Sequence, residues 1–316
     1  MSTADAIPFD VSGPPARPDT AWRRVLRSRR VAVGGIILGV LLAACLLTLP
    51  WTLRREGALA FDGQVIGKSY VAPRGDAPFG TDILGRSVLG RCLLGGSISL
   101  SIGVAAAMLS TVLGVGVGLL AGYRGGWVDA LLMRGVDVLY GLPYILLILL
   151  FKIAFEDPLA AALNARAANL VILFLSIGAV SWLTMARVVR GQVLSLRSQP
   201  FIEAARAIGL GNARIFFHHL LPNLVGPITV YATLIVPSAI LQESFLSFLG
   251  VGIREPLPTW GALARDGLSP ALSPIISRWW LLTFPCALLA LTLLCLNFVG
   301  DGLRDVFDPK REAAKI

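Results

Sequence analysis

The sequence predicts an all-α, polytopic membrane protein with six spanning helices. Composition is the first reason: of 316 residues, 55% are hydrophobic and only 15% are charged, where a soluble domain would carry about 25% charged residues. The mean hydropathy of +0.74 agrees. The arrangement is the second reason. Apolar runs close to the ~20 residues that a spanning helix needs recur six times along the chain. The net charge of +9 does not point to nucleic acid. The basic residues are spread over the segments between apolar runs, as topology signals are.

Residues 1–30 read as a basic N-terminal tail. Its first part is rich in Pro, Ser and Asp, and "WRRVLRSRR" (Trp22 to Arg30) abuts the first span. That span is expected within residues 31–50, as Val31 to Leu49. "LAAC" (Leu42 to Cys45) has the look of a lipoprotein processing site. The apolar run continues past it to Leu49, however, and five more follow, so a retained helix is expected. Residues 51–97 read as a polar loop. They include "DGQVIGKS" (Asp62 to Ser69), a near miss to the phosphate-binding G-x-x-x-x-G-K-[ST]. Asp62 replaces the first Gly and no helix pattern follows, so a loop without a nucleotide is expected.

The remaining spans fall within residues 98–300, as Ile98 to Gly122, Leu131 to Phe155, Asn169 to Val189, Gly226 to Leu249 and Leu281 to Gly300. Glycines 114, 116, 118 and 122 suit close helix packing in lipid, and Pro237 is a candidate kink in the fifth span. Cys45, Cys92, Cys286 and Cys295 form no C-x-x-C pair and read as small core residues. Residues 301–316 form a second tail. Placing both tails in the cytoplasm puts 17 of the 28 Lys and Arg residues on the inside, as the positive-inside bias requires.

Ionisable and aromatic residues near the spans invite structural readings. Asp137 and Arg134, one turn apart, are expected to pair. Lys152 is expected to snorkel to the outer surface. Trp279 and Trp280 suit an interfacial aromatic belt. His218 and His219 are adjacent on a helix and point apart, which makes a poor chelate, so no metal is expected.

The segment "EAARAIGLGNARIFFHHLLPN" (Glu203 to Asn223) interrupts the apolar pattern on the cytoplasmic side. It reads as two short helices broken at Gly209-Leu210-Gly211, where Gly209 and Gly211 can adopt positive φ. Asn212 can cap the second helix and Pro222 close it. Ile208, Leu210, Ile215 and Phe216 would then form an apolar edge away from lipid, which asks for a protein partner.

This segment resembles the EAA loop of binding-protein-dependent ABC transporter permeases, through Glu203-Ala204-Ala205, Gly209, Ile215 and Leu221-Pro222-Asn223. Three further stretches resemble the second permease of the dipeptide/oligopeptide/nickel branch. They are "PFGTDILGRSVLGRCLLGGSISL" (Pro78 to Leu100, with Ser87 where that branch has Asp), "ESFLSFLGVGIREPLPTWG" (Glu243 to Gly261) and "NFVGDGLRDVFDPK" (Asn297 to Lys310).

The resemblance implies a MetI-like type I importer permease of the bacterial inner membrane. Its loop at 51–97 would be extracytoplasmic and its coupling loop at 203–223 cytoplasmic. Glu203, Ala204, Ala205, Gly209, Leu210, Gly211, Arg214, Pro222 and Asn223 would meet an ATPase. Glu243, Ser247 and Phe248 would lie at the pathway or a gate. The implied partners are a homologous permease in a heterodimer, two ABC ATPase subunits that hold ATP and Mg, an extracytoplasmic solute-binding protein, and lipid. The chain itself would hold no cofactor and catalyse nothing. Short peptides are the implied cargo, with nickel or another small solute as the alternative. An ion-driven carrier would show inverted repeats, and a membrane enzyme H-E-x-x-H or G-x-S-x-G; neither pattern is read here.

Overall fold

The computed structural model describes residues 29–54 and 57–307. The N-terminal tail and most of the C-terminal tail lie outside the described residues. Eleven α-helices are described: α1 (Arg29–Leu47), α2 (Leu49–Thr52), α3 (Val88–Arg124), α4 (Gly126–Tyr140), α5 (Tyr144–Ala162), α6 (Ala165–Arg197), α7 (Pro200–Ala207), α8 (Asn212–Ile215), α9 (Leu221–Phe248), α10 (Trp260–Ala271) and α11 (Trp280–Phe307). A π-helical turn, Phe216–Leu220, joins α8 to α9.

Among the described residues, five helices are long and apolar enough to cross a membrane, and α4 with α5 form a pair that passes the same test together but is bent by 96°, a broken span or a re-entrant loop. The third span, expected as one run from Leu131 to Phe155, is instead two helices meeting at an elbow at Gly141-Leu142-Pro143. Pro143 has no N–H to continue the ladder, and it sits at the N-cap of α5 with φ −56°.

The second span also starts earlier than expected. Helix α3 begins at Val88, inside the stretch expected as loop, and runs 37 residues. At ~1.5 Å per residue it overshoots the ~30 Å hydrocarbon core. Its extra turns are held by burial of Val88 and Cys92 against Leu263, Trp280 and Leu281. Ser87 caps the helix, accepting from the Gly90 N–H at 3.3 Å. Ser and Asp are both favoured caps, so the departure from the branch pattern at Ser87 keeps the same local work.

Helix α3 packs along α6, where Gly114, Gly118 and Gly122 bring the backbones together. A Cβ at Gly118 would stand 2.6 Å from the Ala186 carbonyl oxygen, and one at Gly122 would stand 2.8 Å from the Val193 Cβ. Gly116 has open space around it, so it drops out of the packing stripe expected for it. It lies half a turn away from Gly114 and Gly118. Gly118→Leu is expected to destabilise the protein in detergent by ~1–3 kcal/mol or more, while Gly116→Leu leaves the melting temperature near wild type. Equal melting temperatures for the two would remove the stripe from the account.

Helix α9 continues through Pro227 and Pro237 without a break. Helices α1 and α11 pack together, with Gly34 against Cys295 and Phe298. Cys45, Cys92 and Cys295 are buried and Cys286 is exposed, all four as free thiols. Asp62 to Ser69 forms turns, and the next long helix is α3.

Candidate functional site

The interruption forms as two helices around one glycine turn. Pro200 opens α7 in its first turn, where no N–H is needed. The helix ends in a Schellman turn: Gly209 has φ +82°, its N–H donates to the Arg206 carbonyl, and the Leu210 N–H reaches back to the Ala205 carbonyl at 3.1 Å. Gly211 does not take positive φ, so the turn rests on Gly209 alone. The first bond of α8 runs from the Ile215 N–H to the Gly211 carbonyl at 3.1 Å. Gly211 therefore occupies the cap position expected for Asn212.

Pro222 does not close the second helix. The chain passes through the π turn into α9, and the Leu221 N–H bonds to the Phe216 carbonyl. Pro222 then falls in the first turn of α9, where its missing N–H costs nothing. Asn223 donates from Nδ2 to the His219 carbonyl at 2.6 Å.

The apolar residues of this element divide into two sets. Ile202, Ala205, Ile215 and Leu220 are buried together, with Tyr123, Leu196, Leu210 and Phe216 packed around them. The edge expected from Leu210, Ile215 and Phe216 is thus turned onto the chain's own helices. The Tyr123 ring meets Phe216 edge-on at 5.1 Å, and its hydroxyl donates to the Asn212 carbonyl at 2.7 Å. What remains exposed is Phe201, Ile208 at 77% and Phe217 at 61%, with Glu203, Ala204, Arg206, Gly209 and Arg214 beside them. Tyr123 was missed in the sequence, where it ends an apolar run with nothing to mark a long-range contact.

Ion pairs fix the base of this element. Arg190 grips Asp129 of α4 through two bonds of 2.6 Å. Arg187 pairs with Asp137 at 2.7 Å and lies over the Tyr140 ring. The expected Arg134–Asp137 pair is therefore replaced by a cross-helix pair. Arg197 donates to the carbonyls of Gly122 and Tyr123 at 2.8 and 3.0 Å. Helices α3, α4 and α6 thus hold one platform under α7 and α8.

At the other end, the stretch from Glu243 to Gly261 folds into a knot. Glu243 is fully buried. It accepts from Ser99 at 2.8 Å and from Ser247 at 2.7 Å, and the Ser244 and Thr259 hydroxyls complete its cradle. Ser247 is buried and Phe248 half-buried, so neither Glu243 nor Ser247 faces an open surface of this chain.

Lys152 is buried rather than snorkelling. Its Nζ donates to the carbonyls of Val251 and Gly252, just past the end of α9, where carbonyls lack helical partners. The Trp260 Nε1 donates to the Cys92 carbonyl at 3.0 Å. Trp279 is half exposed, but Trp280 is buried and donates to the Thr81 carbonyl. The belt role expected for the pair is therefore not open to Trp280.

Next to this knot, the Asp82 carboxylate holds two arginines. Oδ2 accepts from Arg86 Nε and from Arg91 at 2.7 Å each, and Oδ1 accepts from the Leu84 and Arg86 N–H groups. Glu255 stands 3.7 Å from both guanidiniums. The Asp82/Arg86 spacing of four was visible in the sequence, though its role was not.

With this geometry in view, the comparisons are specific. The family model described as "Binding-protein-dependent transport system inner membrane component" matches residues 114–313. The oligopeptide transport system permease protein OppC of Escherichia coli K12 is 44% identical over 291 residues, covering 91% of this chain and 90% of the relative. The dipeptide transport system permease protein DppC of Bacillus subtilis is 39% identical over 290 residues, covering 92% and 85%. Among solved structures, an inward-facing MetNI methionine ABC transporter chain matches with TM-score 0.52 at 19% identity, over 68% of this chain and 96% of that one. That last likeness speaks to the fold alone.

Proposed function

Because the chain belongs to the inner-membrane components of binding-protein-dependent transport systems, we propose that it moves short peptides inward as one permease of an ATP-driven importer. Kinship to oligopeptide and dipeptide permeases over more than nine-tenths of the chain supports that cargo. It is a multi-pass membrane subunit and not itself an enzyme. ATP and Mg belong to separate ATPase subunits, and the peptide arrives on a solute-binding protein. A homologous permease supplies the other half of the pathway.

The observation that carries the mechanism is the α7–Gly209–α8 element with its exposed Phe201, Ile208 and Phe217. We assign these, with Glu203, Ala204, Arg206 and Arg214, to a cytoplasmic contact with an ATPase. Ala205, Leu210, Ile215 and Leu220 bind the element to the chain's own helices. Pro222 and Asn223 carry it into α9, so a push on the lever reaches a spanning helix directly. ATP closure shifts the transporter only to the extent that it binds one state of this lever better than the other. Glu243 and Ser247 act in this scheme by tying α3 to α9, with Phe248 at the end of the moving helix. Both ends of the chain lie in the cytoplasm on this reading.

Copurification with the partner subunits tests the assignment. A peptide loaded on the binding protein is expected to stimulate ATP hydrolysis by the assembly, while the purified chain alone hydrolyses none. Stimulation by a nickel chelate but not by peptides would contradict the cargo. Hydrolysis by the isolated chain would contradict the division of labour.

A further inference from the structure

Beside the elbow between α4 and α5 lies a cavity of about 410 Å³, inside the ~300–1,000 Å³ range of small-molecule sites. Its polar lining comes from Tyr140, Tyr144, Ser181, Thr184 and Gln242. Tyr140 and Tyr144 are 52% and 43% exposed, so the cavity opens on the side of the elbow.

The polar groups there are short of partners. Several hydroxyls elsewhere in the helices bond back to the preceding turn, Ser176 to the Ile172 carbonyl at 2.7 Å, Thr229 to Val225 at 2.8 Å and Ser238 to Leu234 at 3.1 Å, although the buried Thr111 and Thr292 hydroxyls do not. Among the described residues, the side chains of Tyr144, Ser181, Thr184 and Gln242 make no hydrogen bond within the chain. Gln242 Oε1 is buried without a partner, a condition that native structures rarely leave unexplained.

No ionised side chain lines the cavity. The nearby Arg187 lies over the Tyr140 ring and is neutralised by Asp137. A charged group entering here would meet no counter-charge, and an acyl chain would leave Gln242 unpaired. A neutral ligand with both donors and acceptors fits, and the amide groups of a peptide backbone are such a ligand. We propose that the elbow cavity is a subsite for the backbone of a peptide in transit. The Gln242 amide turns its buried Oε1 into the cavity to accept from a peptide N–H, and the hydroxyls of Ser181, Thr184 and Tyr144 donate to the peptide's carbonyls. Amides are common to every peptide, so the site holds a chain without reading its side chains. This subsite rests on the peptide cargo proposed above.

The test uses the whole importer reconstituted in vesicles. Trialanine and its N-methylated analogue are compared, each on saturating loaded binding protein. The unsubstituted complex is expected to move the N-methylated peptide about fivefold more slowly, the size of one lost hydrogen bond. Gln242→Leu should slow trialanine about fivefold and erase the difference between the two peptides. Thr184→Val probes the same cavity from a second wall and should slow both peptides together. Gln242→Leu and Thr184→Val complexes that match the unsubstituted rates for both peptides overturn the subsite alone. An unsubstituted complex that moves neither peptide overturns the cargo assignment, and the subsite with it.

Discussion

In Gly209→Pro, peptide uptake is expected to fall about tenfold or more while the protein still inserts. Gly209 sits at φ +82°, and proline is locked near −65°. The substitution also removes the N–H that donates to the Arg206 carbonyl. Strain and the lost bond together cost ~3 kcal/mol at the turn, against ~1.4 kcal/mol per factor of ten. The buried cluster of Ile202, Ala205, Ile215 and Leu220 spans that turn, so its loss frees α7 from α8 and the lever no longer moves as one piece. The spans themselves are untouched. Gly211→Ala is the paired control. Gly211 has ordinary φ and nothing within 4 Å of a built Cβ, so its uptake should stay near wild type. Uptake and membrane level measured together decide the matter. Normal uptake in Gly209→Pro removes the lever, and an equal loss in Gly211→Ala removes the Schellman turn as its cause.

Asp82→Ala should produce the largest loss of stability. Arg86 and Arg91 are 4% and 3% exposed, and Asp82 holds both at 2.7 Å. Removing it leaves two buried cations whose remaining carboxylate neighbours, Glu255 and, for Arg86, Asp62, stand off at 3.7 Å and are themselves well exposed. Breaking a buried pair in this way costs ~3–5 kcal/mol. Asp76, which pairs with Arg74 in the same loop, is the contrast: both side chains are more than half exposed, and such surface pairs contribute ~0–1 kcal/mol. Thermal unfolding of the detergent-solubilised protein should therefore drop far more for Asp82→Ala than for Asp76→Ala. Equal drops would mean that the Asp82 centre is solvated.

What could be read from the sequence was what depends on neighbouring residues. Gly209 as a turn, a short helix from Glu203 up to it and the apolar runs all follow from local pattern. Partner choice does not. Asp137 bonds across to Arg187 rather than to Arg134 because α4 packs beside α6, and no spacing rule sees that pairing. Lys152 is held inside because carbonyls at the end of α9 happen to meet it. Pro222 looked like a stop signal, yet the π turn before it removes the need for its N–H. Ile215 and Phe216 looked like a free edge until Tyr123, whose hydroxyl bonds to Asn212 across 89 residues of chain, covered them. Gln242 carried a usable signal, a single amide in the apolar run "IVPSAILQESFLSFLG", overshadowed by Glu243 beside it.

The most direct test of the lever uses Ile208→Cys in a Cys286→Ser background, within the assembled importer. Ile208 is the most exposed apolar residue of the element, and Cys286 is the exposed native thiol. The new thiol should react with a membrane-impermeant maleimide only from the cytoplasmic side. Labelled instead with a maleimide that carries a photoreactive group, it should cross-link to an ATPase subunit on illumination, and that cross-link should stop peptide uptake. Labelling from the outer face, or no cross-link to any nucleotide-hydrolysing subunit, would contradict the coupling role.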